Sequence, residues 1–255
     1  MTMERSSGPA AEHVPQPLVD APDRVDPAIS LRMQILTTEH SSLLATRSMS
    51  WNESFSRVGM FLSVLSGSVV ALALAAQAGS FAEVTVFAIP LLSVVLFVGL
   101  ATCVRLNGIN NEDVVWVAGM NRIRHGYLEL QPELQRYFVT ASTDDMRGIS
   151  MTFGVNLPVA SSLRPSLGSV GHAMVTIPGM LAVIVSVVAG ALASVIAVSL
   201  GAGKGAAVAL AVGAFLVTMF ALGRYAYASI TDQIRRLAPQ FPTPDPKPVT
   251  APASE

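Results

Sequence analysis

Residues 57–105 read RVGMFLSVLSGSVVALALAAQAGSFAEVTVFAIPLLSVVLFVGLATCVR, and between the two terminal arginines Glu83 is the single charged residue. Glu83 divides two apolar runs, Val58–Ala78 and Val84–Val104. Each run holds about 20 residues, enough to cross ~30 Å of hydrocarbon at about 1.5 Å per residue. The break, Gln77-Ala78-Gly79-Ser80-Phe81-Ala82-Glu83, is a short polar turn, so the stretch predicts a transmembrane hairpin. A second pair of runs follows, Ala173–Ser199 and Gly205–Tyr225, joined by Leu200-Gly201-Ala202-Gly203-Lys204. Lys204 is the only formal charge between His172 and Arg224.

Composition agrees. Of 255 residues, 51% are hydrophobic and 13% charged, about half the ~25% charge of a soluble domain. Mean hydropathy is +0.53. A net charge of −1 offers no basic surplus for nucleic acid. One cysteine, Cys103, excludes an internal disulfide and any cysteine-based metal cluster. The expected fold is therefore an all-α membrane protein, with four transmembrane helices as two hairpins bearing long cytoplasmic helical extensions. Ala76-Gln77-Ala78 resembles a signal-peptidase site, but the apolar run starts only at Val58 and three more spans follow, so no cleavage is expected. The first and last residues carry no lipidation motif.

Basic residues set the orientation. Arg5, Arg24, Arg32, Arg47 and Arg57 precede span one, and six arginines from Arg105 to Arg164 lie between spans two and three. Arg224, Arg235, Arg236 and Lys247 lie at or after the end of span four, whereas the two hairpin turns share only Lys204. Short loops rich in Lys and Arg stay inside, which places both termini and the middle connector in the cytoplasm. Trp51, Tyr225 and Tyr227 suit interfacial anchoring.

The expected organisation is a disordered tail over 1–27, a helix over 28–57 leading into span one, and a first hairpin over 58–106. A cytoplasmic helix and loop follow over 107–172, then a second hairpin over 173–228 and a Pro-rich tail over 229–255. The prolines concentrated in 1–27 and 239–255 predict disorder there. After span two, Ile109, Trp116, Met120, Ile123, Tyr127, Leu130 and Leu134 share one face, with Asn107, Asn111, Arg122, His125 and Glu129 opposite. Pro132 reads as a kink, with the apolar face running on to Phe138. Residues 141–172 read as a loop, with room for one short helix.

Span one carries a small residue at every fourth position, Gly59, Ser63, Gly67, Ala71 and Ala75. Ala182, Ser186, Gly190 and Ser194 repeat this in span three, and Gly205, Ala209 and Gly213 in span four. Such stripes let helices approach closely. The bland reading is packing inside one four-helix unit; the functional one is a subunit contact, or a pore lined by Ser63, Ser66 and Ser68. No Asp, Glu, Lys, Arg or His lies near the middle of any span, which argues against proton-coupled transport but leaves a channel lined by serines open. Gly201–Gly205 lacks the glycine and the Ser/Thr of a phosphate loop and reads as a turn.

The polar cluster around Asn107, Asn110, Asn111, Glu112, Asp113, Asn121, Arg122, Arg124 and His125 is either a cytoplasmic vestibule that binds a partner or a solvated helix face. His40 and His125 could meet if the two cytoplasmic helices pack, but one imidazole per helix is a weak metal signal. No catalytic set, metal or cofactor is expected, and the chain does not read as an enzyme.

The segments Trp51-Asn52-Glu53-Ser54-Phe55-Ser56-Arg57, Asn110-Asn111-Glu112-Asp113 and Met120-Asn121-Arg122-Ile123-Arg124-His125 resemble an uncharacterised family of bacterial four-span integral membrane proteins. In layout, residues 28–140 are also similar to two-span effector modules predicted to form pores in bacterial defence systems. The resemblance implies a bacterial inner-membrane protein, and Arg outnumbering Lys by 14 to 2 fits a GC-rich bacterial genome. The expected function is a small, self-associating channel or pore. The competing expectation is a non-transporting scaffold or accessory subunit that docks a cytoplasmic or membrane protein.

Overall fold

The computed structural model describes residues 26–154 and 176–244. Among them are α1 (Pro27–Ala78), α2 (Phe81–Leu130), a 3-10 turn (Pro132–Tyr137), α3 (Met146–Phe153), α4 (Ile177–Ser199) and α5 (Lys204–Arg236), with no strand. Four of these helices, α1, α2, α4 and α5, are long and apolar enough to cross a membrane. The expected tails fall outside the described residues except at their inner ends, as does the connector over 155–172.

Local chemistry sets the helix ends. Asp26 caps α1 by accepting from the Ala28 N–H at 2.9 Å, and Pro27 occupies the first turn, where its missing N–H costs nothing. Between α1 and α2 only Gly79 and Ser80 intervene. Ser80 and Glu83 form a reciprocal capping box, with the Glu83 carboxylate accepting from the Ser80 N–H at 2.8 Å. The lone charge of the first apolar stretch is therefore a helix cap. Helix α2 continues unbroken through Pro90.

Pro132 acts differently from the expected kink. It ends the helix at Leu130 and opens the 3-10 turn, because proline pushes the residue before it out of helical geometry; Gln131 sits at φ −145°, ψ 85°. Phe138 then lies near Tyr127, ring centroids 6.4 Å apart, so apolar contact outlasts the helix. The short helix foreseen in the connector is α3, closed by Gly154 in the left-handed region at φ 66°. At the far end α5 runs to Arg236, beyond the expected limit of span four. Gly201, at φ 84°, makes the α4–α5 turn.

Packing follows chain order. α1 lies on α2, α2 on α4 and α4 on α5, with lesser contacts of α2 to α5 and α3. Two cores result. The first gathers Phe61, Leu92, Val95, Leu106, Leu181, Val185 and Val188 among the apolar segments. Gly99 is its tightest point: a Cβ there would come within 2.7 Å of Val185 and 2.9 Å of Phe61. The second core, toward the charged ends of α1 and α2, gathers Val114, Val117, Ala118, Met120 and Ile149, with Leu43, Phe153, Ile230 and Leu237 around it. In water each fully buried side chain of the larger kind contributes about 1.5–3 kcal/mol. In lipid the same contacts stabilise mainly through close packing.

Candidate functional site

The three small-residue stripes behave differently. Ser186 on α4 is fully buried, donating to the Ala182 carbonyl at 2.7 Å. Gly190 lies against α5, where an added Cβ would sit 2.8 Å from the Ala211 carbonyl oxygen. Ser194 is half-buried on the same helix. On α1, by contrast, Gly59, Ser63, Ser66 and Gly67 are all exposed. A Cβ at Gly59 or Gly67 would meet nothing within 4 Å, and the same holds for Gly213 on α5. Intramolecular packing thus accounts for the α4 stripe, whereas on α1 Ala71 and Ala75 are half-buried and Gly59, Ser63 and Gly67 stay exposed. Ser68, one step round the helix, is buried instead.

Charge on α1 and α2 concentrates beyond the apolar runs. Glu53 accepts from Arg57 at 2.7 Å and from Nε and Nη2 of Arg105 at 2.9 and 2.8 Å, and Arg105 reaches on through Nη1 to Glu112 at 3.1 Å. About two turns farther along, Arg47 forks onto Asp113 at 2.6 and 3.2 Å. Hydrogen bonds from Arg105 and Arg57 hold the Glu53 carboxyl down to about 2 from its ordinary 4.5. A depressed acid stabilises the fold fully above its unfolded value and loses that stabilisation as pH falls toward the folded one. The Tm advantage of the native chain over Glu53→Gln is therefore expected to shrink as pH drops from 4.5 toward 2. Parallel melting curves across that range check it; a constant difference would contradict it.

The polar face of α2 is largely interior rather than solvated. Asn121, 0% exposed, donates to the Thr143 carbonyl at 2.8 Å and accepts from Arg124 and Thr152. Asn111 donates to Ser229 on α5, and Asn107 is buried with its Nδ2 unpartnered. Periodicity assigns one apolar face to one partner, but α1, α3, α5 and the segment after α5 surround this helix. Its polar side chains serve as cross-links. His40 and His125 do not meet: His40 lies near Tyr127, and His125 stacks on Phe241 at 4.0 Å. Burial, then the charge of Arg124, lowers the His40 pKa. Among the described residues no group of His, Cys, Asp and Glu could hold a metal.

Residues 238–244, of which 239–244 read from composition as part of a disordered tail, are docked. Arg122 donates to the Asp144 carboxylate through Nε and to the Ala238 carbonyl at 3.0 Å through Nη2. Asp144, its side chain 0% exposed, accepts from the Gln240 N–H at 2.9 Å and the Phe241 N–H at 2.8 Å, and its own N–H returns to the Phe241 carbonyl at 3.2 Å. Asp145 caps α3 through the Gly148 N–H at 3.0 Å and takes the Thr243 N–H and hydroxyl at 3.2 and 2.9 Å. Burial pushes both carboxyls up, but the hydrogen bonds they accept outweigh it and hold both below the ordinary 3.8.

Sequence reading thus found Arg122 and His125 but not Asp144, Asp145, Gln240, Phe241 or Thr243. A cap signal, Asp145 three residues before Gly148, was present. No local signal pointed to partners almost a hundred positions away. No protein-family model, curated protein or solved structure matches this chain.

Proposed function

We propose that the chain is a multi-pass inner-membrane protein that self-associates around α1 to form a small ion channel or pore. Its two transmembrane hairpins leave both termini and the 107–172 connector in the cytoplasm, as the arginine distribution requires. One observation carries the reading. Asn52, Ser56, Gly59, Ser63, Ser66, Val70, Ala73 and Gln77 recur at alternating steps of four and three along α1, and all are exposed in the protomer.

Polar and small side chains facing hydrocarbon forgo packing and hydrogen bonds that a neighbouring helix or water would supply. The Ser63 hydroxyl satisfies its proton on the Gly59 carbonyl at 2.9 Å, but its acceptor side stays open. The outward residues of α5, among them Val208, Val212, Leu216, Val217 and Phe220, are content against lipid. The α1 edge therefore exposes serines among its apolar residues, and the α5 edge exposes apolar and small residues without them. Copies gathered with α1 innermost and α5 outermost satisfy both. A 3.5-residue repeat suits helices crossing at about +20°.

Ion flux from purified protein in liposomes tests this. Ser63→Trp is expected to abolish flux, while Val217→Trp on the lipid-facing edge leaves it intact. Flux equal to that of empty liposomes, together with a monomeric detergent particle, would overturn the reading.

The scaffold reading draws on a separate feature. Leu31, Ile35 and Leu44 are exposed on the part of α1 that lies beyond the apolar run, where a docked protein would cover them. It predicts no flux, and a co-purifying partner that is lost when residues 28–50 are made polar.

A further inference from the structure

The contacts of residues 238–244 have the character of peptide recognition rather than of a helix simply trailing off. Three of the six residues in Pro239-Gln240-Phe241-Pro242-Thr243-Pro244 are prolines, which carry no N–H. The other three, Gln240, Phe241 and Thr243, each donate theirs to Asp144 or Asp145. No backbone donor of the segment is left over. An ordinary polypeptide laid here would bring three additional N–H groups at the exposed positions 239, 242 and 244, where water rather than the two carboxylates would take them.

Side chains add selectivity. The Phe241 ring stacks on His125 with an interplanar angle of 21°, and the Thr243 hydroxyl bonds Asp145. The receiving side is rigid: Asp144 is fixed by Arg122, Asp145 by the first turn of α3, and the whole is backed by fully buried Asn121 and Ile149.

We propose that the cleft between α2 and the start of α3 is a capture site for extended, proline-interrupted peptides, with residues 238–244 its resident ligand. Held there, the segment is a latch that ties the end of α5 to α2. A proline-rich peptide of like pattern, supplied in trans, competes for the same carboxylates and opens it. The inference stands apart from channel activity, since its contacts and its test involve binding alone.

The test uses the full chain in detergent and a fluorescent peptide copying residues 236–246. The tethered segment enjoys a high effective concentration, so the native chain is expected to bind the peptide roughly a hundredfold more weakly than the Gln240→Pro, Thr243→Pro double variant. In that variant the resident ligand has lost two of its three donors while the cleft is untouched. Adding Asp144→Asn to the double variant is expected to remove peptide binding. No binding to the double variant, or equal binding with and without Asp144→Asn, overturns the proposal. Should the double variant aggregate, hydrogen exchange on the native chain decides: slowed exchange at the 240, 241 and 243 amides supports the latch, and exchange at the rate of the free peptide overturns it.

Discussion

Gly190→Ala is expected to loosen the α4–α5 pair, lowering the temperature or detergent concentration at which the chain unfolds, whereas Gly213→Ala, one helix away, leaves the pair intact and raises stability by its helix-propensity gain alone. The two substitutions add the same methyl group to a helical glycine and gain the same helix propensity, at most about 1 kcal/mol. They differ only in what the methyl group meets. At Gly213 there is nothing within 4 Å; at Gly190 the Ala211 carbonyl oxygen lies 2.8 Å away. That oxygen belongs to the backbone of α5, so no rotamer change relieves the clash and the helices themselves must separate. Overpacking of this sort costs about 1–3 kcal/mol, and here separation also strips Ser186 of its contact with Met219 across the same interface. Equilibrium unfolding of both variants in mixed detergent checks the difference. Equal stabilities would mean that the close crossing is not maintained.

The membrane-compatible helices were legible because their signal is local and long: apolar runs of about 20 residues leave little else for the chain to do. Even the one charge inside the first hairpin, Glu83, had a local explanation in the Ser80 capping box, although the polar turn alone did not reveal it. Small residues were legible as a pattern but not as a destination. Gly190 and Gly59 sit in equivalent stripes, and only the folded chain separates the one that packs on Ala211 from the one that packs on nothing. Gly99 shows the reverse failure, a tight three-helix crossing with no stripe to announce it. Least legible was the region around Asp144. Its partners come from positions 122 and 238–244, and the proline content that marks the latter as disordered is also what leaves it with so few N–H groups to satisfy. Composition counts prolines as lost helix formers; beside a cleft with two carboxylates they are residues with no N–H to satisfy.

The strongest single disruption expected in the charged half of the molecule is Gly148→Ala. A Cβ at this position would fall 2.0 Å from the Thr143 carbonyl oxygen and 2.3 Å from the Thr143 hydroxyl. Neither can yield cheaply, since that carbonyl accepts from fully buried Asn121 and the hydroxyl meets Thr243 at 3.1 Å. The 143–148 turn must open, and with it goes the bond from the Gly148 N–H to Asp145 that caps α3. Loss of a helix cap costs about 1 kcal/mol, and the overpacking adds about 3 kcal/mol at the upper end of its usual range. Because Asp144 and Asp145 ride on the same turn, the displacement is transmitted to every carboxylate bond that holds residues 240–243. The expected result is a lowered Tm together with fast hydrogen exchange in α3 and in 238–244, while the amides of α4 stay protected. Destabilisation spread evenly through α4 would instead mean that the two cores melt as one unit, and unchanged exchange at 240–243 would mean that the turn does not position the two aspartates.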